Sequence, residues 1–81
     1  MDLQDYRKQI DAIDNELLRL FKERMDIVRQ IALYKKEHDL PVLNAEREKE
    51  ILDAIDCPYA KELFSTLLEL SCAYQGGILK T

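Results

Sequence analysis

Apolar residues recur along the first half of the chain at alternating spacings of three and four, the pattern of a helix that packs along one narrow face. No glycine or proline interrupts them, so the pattern predicts one unbroken helix over residues 3 to about 37. We call these positions the seam: Leu3, Tyr6, Ile10, Ile13, Leu17, Leu20, Arg24, Ile27, Ile31 and Tyr34. The charged member of the seam is Arg24.

A connector and a short helix are expected next. Pro41 disfavours helical structure in the residue before it, so residues 38–43 should form the connector. Asn44 is a suitable N-cap, and the second helix is expected over residues 45 to about 55. Its inward positions are predicted to be Ile51, Leu52 and Ile55.

A helix of medium length follows. Pro58 stands at a favoured first helical position, and the Gly76-Gly77 pair is of the kind that caps or frays a helix end. The third helix is therefore expected over residues 58 to about 76.

The first helix is too long for one chain to cover. At about 1.5 Å per residue it is roughly 50 Å long, whereas a globule of 81 residues is about 30 Å across. A second apolar stripe lies beside the seam and is expected to meet helices two and three: Leu18, Phe21, Met25, Val28 and Ala32. The narrower seam is expected to pack on a second long helix. The prediction is an all-α fold of one long, one short and one medium helix in an intertwined homodimer.

Composition narrows the functional classes. The 81 residues allow one domain, residues 1–81, and a net charge of −4 argues against nucleic-acid binding, which relies on clustered Lys and Arg. No secretory leader is expected, and the sequence contains no apolar run long enough to span a bilayer. The two cysteines lack CxxC spacing, and no metal or phosphate-binding motif occurs. A cytoplasmic protein with reduced thiols and no metal site is expected.

Two cations stand where the first helix should be partly buried. Arg24 is in the seam, and Lys35 extends the second stripe eleven residues later, about 20° around the helix and about 16 Å along it. A buried cation is costly unless it is paired, so both can serve one pocket for a small dianion. The alternative is an Arg24 paired internally with a Glu and a Lys35 that snorkels to solvent.

Arg7 cannot serve that pocket within its own chain. It is about 42 Å from Lys35 along the helix. If two long helices pair antiparallel, however, Arg7 of the partner subunit can enter the pocket. The alternative is an exposed pair with Asp11.

Other polar residues occupy unexpected positions. Arg47 lies in the first turn of helix two, where the helix dipole disfavours a cation and favours Glu48. A solvated charge run is the alternative there. Ser71 and Gln75 continue an apolar stripe of helix three, either as ligands or as a buried hydrogen-bond network.

Taken in order, these polar residues resemble the pattern of the all-helical class of chorismate mutases: Arg7, Arg24, Lys35, Asn44, Arg47, Glu48, Ser71 and Gln75. The resemblance spans nearly the whole chain. Its motifs are the segment Tyr6-Arg7-Lys8-Gln9-Ile10-Asp11-Ala12-Ile13-Asp14, then Glu23-Arg24, Lys35, Pro41-Val42 and Arg47-Glu48. It implies a cofactor-free Claisen rearrangement of chorismate to prephenate, in phenylalanine and tyrosine biosynthesis, by a homodimer with two shared sites.

The resemblance also implies roles for individual residues. Arg24 and Arg7 of the partner subunit would hold the two substrate carboxylates, and Ser71 would assist at one of them. Lys35 and Gln75 would donate to the ether oxygen, which gains negative charge as its bond to the ring breaks.

The remaining roles concern the ring hydroxyl. Glu48 and the Asn44 region would hold it, and Arg47 would add positive field at that end. Asn44 stands where many relatives have Asp. The implied catalytic set is Lys35, Gln75, Arg24 and Glu48.

Two other functions remain open. An isochorismate pyruvate-lyase has the same fold and also uses buried cations, although Glu48 favours the mutase. A catalytically silent dimerisation domain that senses an aromatic-pathway metabolite is the second.

Overall fold

The computed structural model describes residues 1–80 and consists of three helices and their connections. Helix α1 is Leu3–Glu37, α2 is Ala45–Asp53 and α3 is Pro58–Leu79. The predicted class, all-α with one long, one short and one medium helix, is confirmed.

Both ends of α1 are set by local interactions. Asp2 and Asp5 form a reciprocal capping box at its start, which satisfies backbone N–H groups that have no partner within the helix. At its end the His38 ring stacks on Tyr34 with 4.1 Å between ring centroids. Asp39 then adopts a positive φ of 52°, which turns the chain out of the helix.

Helix α2 ends at Asp53, earlier than the predicted residue 55. The last turn tightens, because the Ile55 N–H donates to the Leu52 carbonyl, three residues back, at 3.1 Å. The chain then has to become extended at Cys57, the N-cap of the next helix, before Pro58. These two requirements leave no room for a longer regular helix.

Helix α3 begins at Pro58, as predicted, and ends three residues beyond the predicted limit of about residue 76. The helix continues through Gly76 and Gly77 to Leu79. Neither glycine has a positive φ, so neither forms the left-handed cap that would end the helix. Ile78 and Leu79 are half-buried beyond the pair, and their burial favours continuing the helix.

The packing joins α3 to both other helices, while α1 and α2 do not pack closely on each other among the described residues. The buried apolar residues are Val28 and Ala32 of α1 and Leu68 of α3. Phe21 and Met25 of the second stripe are half-buried, as predicted. Leu18 is 53% exposed, contrary to prediction, because the buried part of the stripe begins only at residue 21.

The single chain is a thin slab with the seam uncovered. It measures 55 × 27 × 14 Å, and its radius of gyration is 16.0 Å, where a globule of this length has about 12 Å. It exposes 6667 Å², whereas a monomeric protein of 9.5 kDa exposes about 5,000 Å². Every apolar residue of the seam is exposed. None of the described helices combines the length and apolar character needed to cross a membrane.

The continuous α3 predicts that Gly77→Ala stabilises the protein. A Cβ at this position has no atom within 4 Å, and the helical φ suits alanine, so the free energy of unfolding should rise by about 0.4–1 kcal/mol. Urea unfolding at fixed protein concentration measures the change. Ala73 is exposed on the same helix, and Ala73→Gly is a control with the opposite expected sign. It should lower the free energy of unfolding by about 0.5–1 kcal/mol. A destabilised Gly77→Ala would contradict a helix through the glycine pair.

Candidate active site

A cleft of about 360 Å³ lies among the three helices, within the size range of small-molecule sites. Its lining includes most of the residues predicted as site residues: Arg24, Lys35, Asn44, Arg47, Glu48, Ser71 and Gln75. Three helices of one chain therefore bring these residues to one place.

Arg24 reaches from α1 to α3 and bonds Ser71. Its Nη1 donates to Ser71 Oγ, and the Ser71 hydroxyl donates to the Leu67 carbonyl at 2.7 Å. Ser71 therefore acts as an acceptor for Arg24, and the other guanidinium N–H groups have no protein partner within residues 1–80. The predicted alternative of an internal Arg24–Glu pair is wrong, because Arg24 forms no ion pair among the described residues and the adjacent Glu23 pairs with Arg19 at 2.8 Å.

Lys35 is held by two neutral acceptors. Its Nζ donates to the Val42 carbonyl of the connector at 2.7 Å and to Gln75 Oε1 of α3 at 2.9 Å. An ammonium group has three N–H donors, so one remains. Gln75 is only 6% exposed. Every fully buried side-chain N or O atom among the described residues has a partner. Since the Nε2 atom of Gln75 has none, it is not fully buried and borders the cleft as a second donor.

The electrostatics of the cleft follow from these partners. Arg24 and Lys35 are half-buried, and neither forms an ion pair within the part of the chain that the structure describes. Their neutral partners satisfy individual N–H groups without neutralising the two positive charges. A partly desolvated cation is stabilised most by an anion with matching acceptors. The cleft is therefore suited to an anionic ligand.

Glu48 brings a carboxylate into the same cleft. It is half-buried on α2, and its Oε2 accepts a hydrogen bond from the Cys72 thiol, with 3.5 Å between S and O. Burial, together with the bond to Glu48, raises the pKa of Cys72, which keeps the thiol protonated near neutral pH. Within residues 1–80 the other oxygen of Glu48 has no partner.

Sequence reasoning missed Cys72. A signal was present, because Leu68, Ser71, Cys72 and Gln75 follow the i, i+3, i+4, i+7 spacing of one helix face. The apolar lining consists of Ile27, Val28, Ile31, Val42, Ile51 and Leu68. No three His, Cys, Asp or Glu side chains in the described range converge in a way that could hold a metal ion.

Asn44 and Arg47 lie at the exposed rim of the cleft. Asn44 is confirmed as the N-cap of α2, where its Oδ1 accepts the Arg47 backbone N–H at 3.1 Å. The Arg47 guanidinium pairs with Glu50 at 3.1 Å, and the two side chains are 66% and 67% exposed. Arg47 is therefore better described as part of a solvated charge run, which was the alternative, than as a buried ligand-binding residue.

Arg7 is not brought to the cleft by its own chain. It is exposed on α1, about 42 Å from Lys35 along the helix. The predicted alternative, a salt bridge with Asp11, does not form in the described structure. Arg7 is therefore an unpaired cation on the exposed half of α1.

Fold and site together define an all-helical domain. Its cleft is suited to a small anionic ligand that also carries polar groups. The chain belongs to the chorismate mutase type II family, whose model matches residues 6–76. The resemblance noted from the sequence is thereby confirmed.

Several curated proteins are similar to parts of the chain. A chorismate mutase of Methanocaldococcus jannaschii is 42% identical over 53 residues, which are 65% of this chain and 54% of that protein. A bifunctional chorismate mutase/prephenate dehydratase of Aquifex aeolicus is 43% identical over 54 residues, 67% of this chain and 15% of that protein. The T-protein of Haemophilus influenzae is 42% identical over 52 residues, 64% of this chain and 14% of that protein.

The matched regions thus span about half of the archaeal relative and about a seventh of the two longer ones. No solved structure is significantly similar to this chain.

Proposed function

We propose that this domain catalyses the Claisen rearrangement of chorismate to prephenate, a step of phenylalanine and tyrosine biosynthesis, and that residues 1–81 form one catalytic domain. The observation that carries the proposal is the pair of cleft cations, Arg24 and Lys35, whose partners are all neutral. Chorismate has two carboxylates, an ether bridge and a ring hydroxyl. Membership of the family supports this choice of substrate.

The reaction needs only what the cleft provides. One C–O bond breaks and one C–C bond forms within a single molecule, so neither a nucleophile nor a proton shuttle is required. The protein has to select a folded conformer and stabilise the charge that develops on the ether oxygen. A millionfold acceleration corresponds to about 8 kcal/mol, and one well-placed donor contributes about 3–4 kcal/mol. Two donors and conformer selection therefore suffice.

Lys35 and Gln75 are assigned to the ether oxygen. The bonds of Lys35 Nζ to Val42 and Gln75 hold the ammonium group at a defined position. The remaining N–H of Lys35 and the amide N–H of Gln75 are neighbouring donors, so a single oxygen can accept a hydrogen bond from each. Both are fixed before the substrate arrives, so little reorganisation is needed when charge develops.

Arg24 is assigned to a substrate carboxylate, through the guanidinium donors that Ser71 leaves free. Ser71 assists by orienting Arg24, because its own proton is used by Leu67. The unpartnered oxygen of Glu48 accepts the ring hydroxyl.

At that end of the cleft, Asn44 shapes the start of α2. Arg47 is assigned a minor part at the rim, because its exposure and its pair with Glu50 weaken its field in the cleft.

We further propose that the active form is an antiparallel homodimer in which Arg7 of the partner subunit binds the second carboxylate. The exposed seam and the excess surface of the single chain support this assembly, since an apolar face of this length is stable in water only when covered. Antiparallel pairing would bring the partner's residue 7 beside residues in the low thirties. The exposed, unpaired state of Arg7 in one chain is consistent with that role.

The first test is the identity of the product. The purified chain should convert chorismate to prephenate and should release no pyruvate from isochorismate, as followed by chromatography and mass spectrometry. Pyruvate release from isochorismate as the main reaction would favour the lyase. Binding without turnover would favour a metabolite-sensing domain.

The second test removes the donor to the ether oxygen. Lys35→Ala should lower kcat by about 100-fold to 1,000-fold or more, the cost of one lost transition-state donor. Lys36→Ala is the matched control, because Lys36 is exposed on the next position of the same helix and does not line the cleft. Circular dichroism and light scattering would check that both variants keep their fold and assembly. Near-normal turnover of a folded Lys35→Ala would refute the assignment.

The third test asks whether sites are shared between subunits. Arg7→Ala and Lys35→Ala chains are each expected to be inactive, and mixing them should restore activity, because each heterodimer then has one site with both defects and one with neither. At full exchange of equal amounts, half of the dimers are heterodimers, so about a quarter of all sites should be intact. Exchange would be verified by mass spectrometry of tagged chains. No recovery after complete exchange would exclude a role for Arg7 in trans.

A further inference from the structure

The Cys72 thiol links α3 to α2 within the cleft. Its Sγ lies 3.5 Å from Glu48 Oε2, and both residues are half-buried. Of the described helices, only α3 packs closely on α2. The position of the Glu48 carboxylate relative to the cations of α1 is therefore set through α3, and Cys72 is the side chain of α3 that bonds it.

We propose that Cys72 is a positioning residue for Glu48. The thiol occupies Oε2 and thereby fixes the second carboxylate oxygen as the acceptor that the cleft offers to a hydroxyl group. The inference rests on the proposed function in one respect, which is that this hydroxyl is the ring hydroxyl of chorismate.

The surroundings of Glu48 show why such a tether matters. A glutamate has three rotatable side-chain bonds, and Glu48 has no salt bridge among the described residues to restrict them. Lys35, Cys72 and Glu48 all line the same cleft. A carboxylate released from the thiol is free to rotate about its side-chain bonds, away from the position in which it accepts the hydroxyl.

The thiol is suited to this task in its protonated form. Burial and the adjacent carboxylate both disfavour the thiolate and raise the pKa of Cys72. The S–H donor is therefore present across the neutral range. It is a weak donor, so it orients the carboxylate without neutralising it.

The test compares Cys72→Val, which is apolar and has no donor, with Cys72→Ser, which keeps a donor. The loss of one hydrogen bond predicts a three- to tenfold lower kcat/KM for chorismate in the Val variant and a value within about twofold of wild type in the Ser variant. Cys57→Val is the matched control, because Cys57 is an exposed free cysteine outside the cleft. Unfolding in urea, followed by circular dichroism, would report any loss of stability separately.

A double-mutant cycle separates positioning from packing. In a Glu48→Ala background, which has no side-chain acceptor, Cys72→Val should cause no further loss, either in kcat/KM or in the affinity for prephenate measured by calorimetry. An analogue of chorismate without the ring hydroxyl should be turned over equally by wild type and Cys72→Val. If Cys72→Val fails to fold, Cys72→Ala takes its place with the same criteria.

Several results would overturn the inference. These are wild-type activity of Cys72→Val, an equal loss in the Ser variant, the same loss in both Glu48 backgrounds, or the same loss with the analogue. A wild-type chain that forms no prephenate would instead refute the proposed function, so the two failures can be told apart.

Discussion

The hydrogen bonds of Lys35 join the parts of the molecule on which the cleft depends. A single ammonium group on α1 bonds the connector through the Val42 carbonyl and α3 through Gln75 Oε1. A half-buried cation is stabilised when its N–H groups are hydrogen-bonded, so folding favours these bonds. They fix the connector against the end of α1 and orient the Gln75 amide. The same bonds leave the charge itself uncompensated, and that remaining charge is the basis of anion binding.

The site is thus assembled at some cost to stability. Arg24 and Lys35 occupy positions on α1 where apolar residues would pack without desolvation, and Ser71 and Gln75 are buried at 5% and 6% exposure on the facing helix. Buried polar groups destabilise a fold unless each is hydrogen-bonded. Here every buried side-chain N or O atom in the described chain has a partner or reaches the cleft. The arrangement prepares donors before a ligand binds, which is the requirement for stabilising a developing oxyanion.

Helix α1 is central both to the shape of the chain and to the chemistry of the cleft. The second half of α1 carries Arg24 and Lys35 and is partly covered by α3, whereas the first half carries Arg7 and is uncovered. The apolar seam is exposed along both halves. The covered half forms the cleft within one chain. The uncovered half has the features of an interface, so in the proposed dimer the seam is covered and the site completed in one event.

Much of this molecule follows from its sequence, because helix limits and same-helix distances depend on neighbours within a few residues. The heptad spacing predicts α1, Asn44 and Pro58 mark the starts of α2 and α3, and helical geometry places Arg24 and Lys35 about 16 Å apart. Contacts between helices depend instead on packing, which sequence patterns within a few residues do not determine. The tertiary structure alone decided that Arg24 bonds Ser71, 47 residues away, and that Cys72 bonds Glu48, 24 residues away. It also decided that α3 continues through its glycine pair, because Ile78 and Leu79 gain burial there.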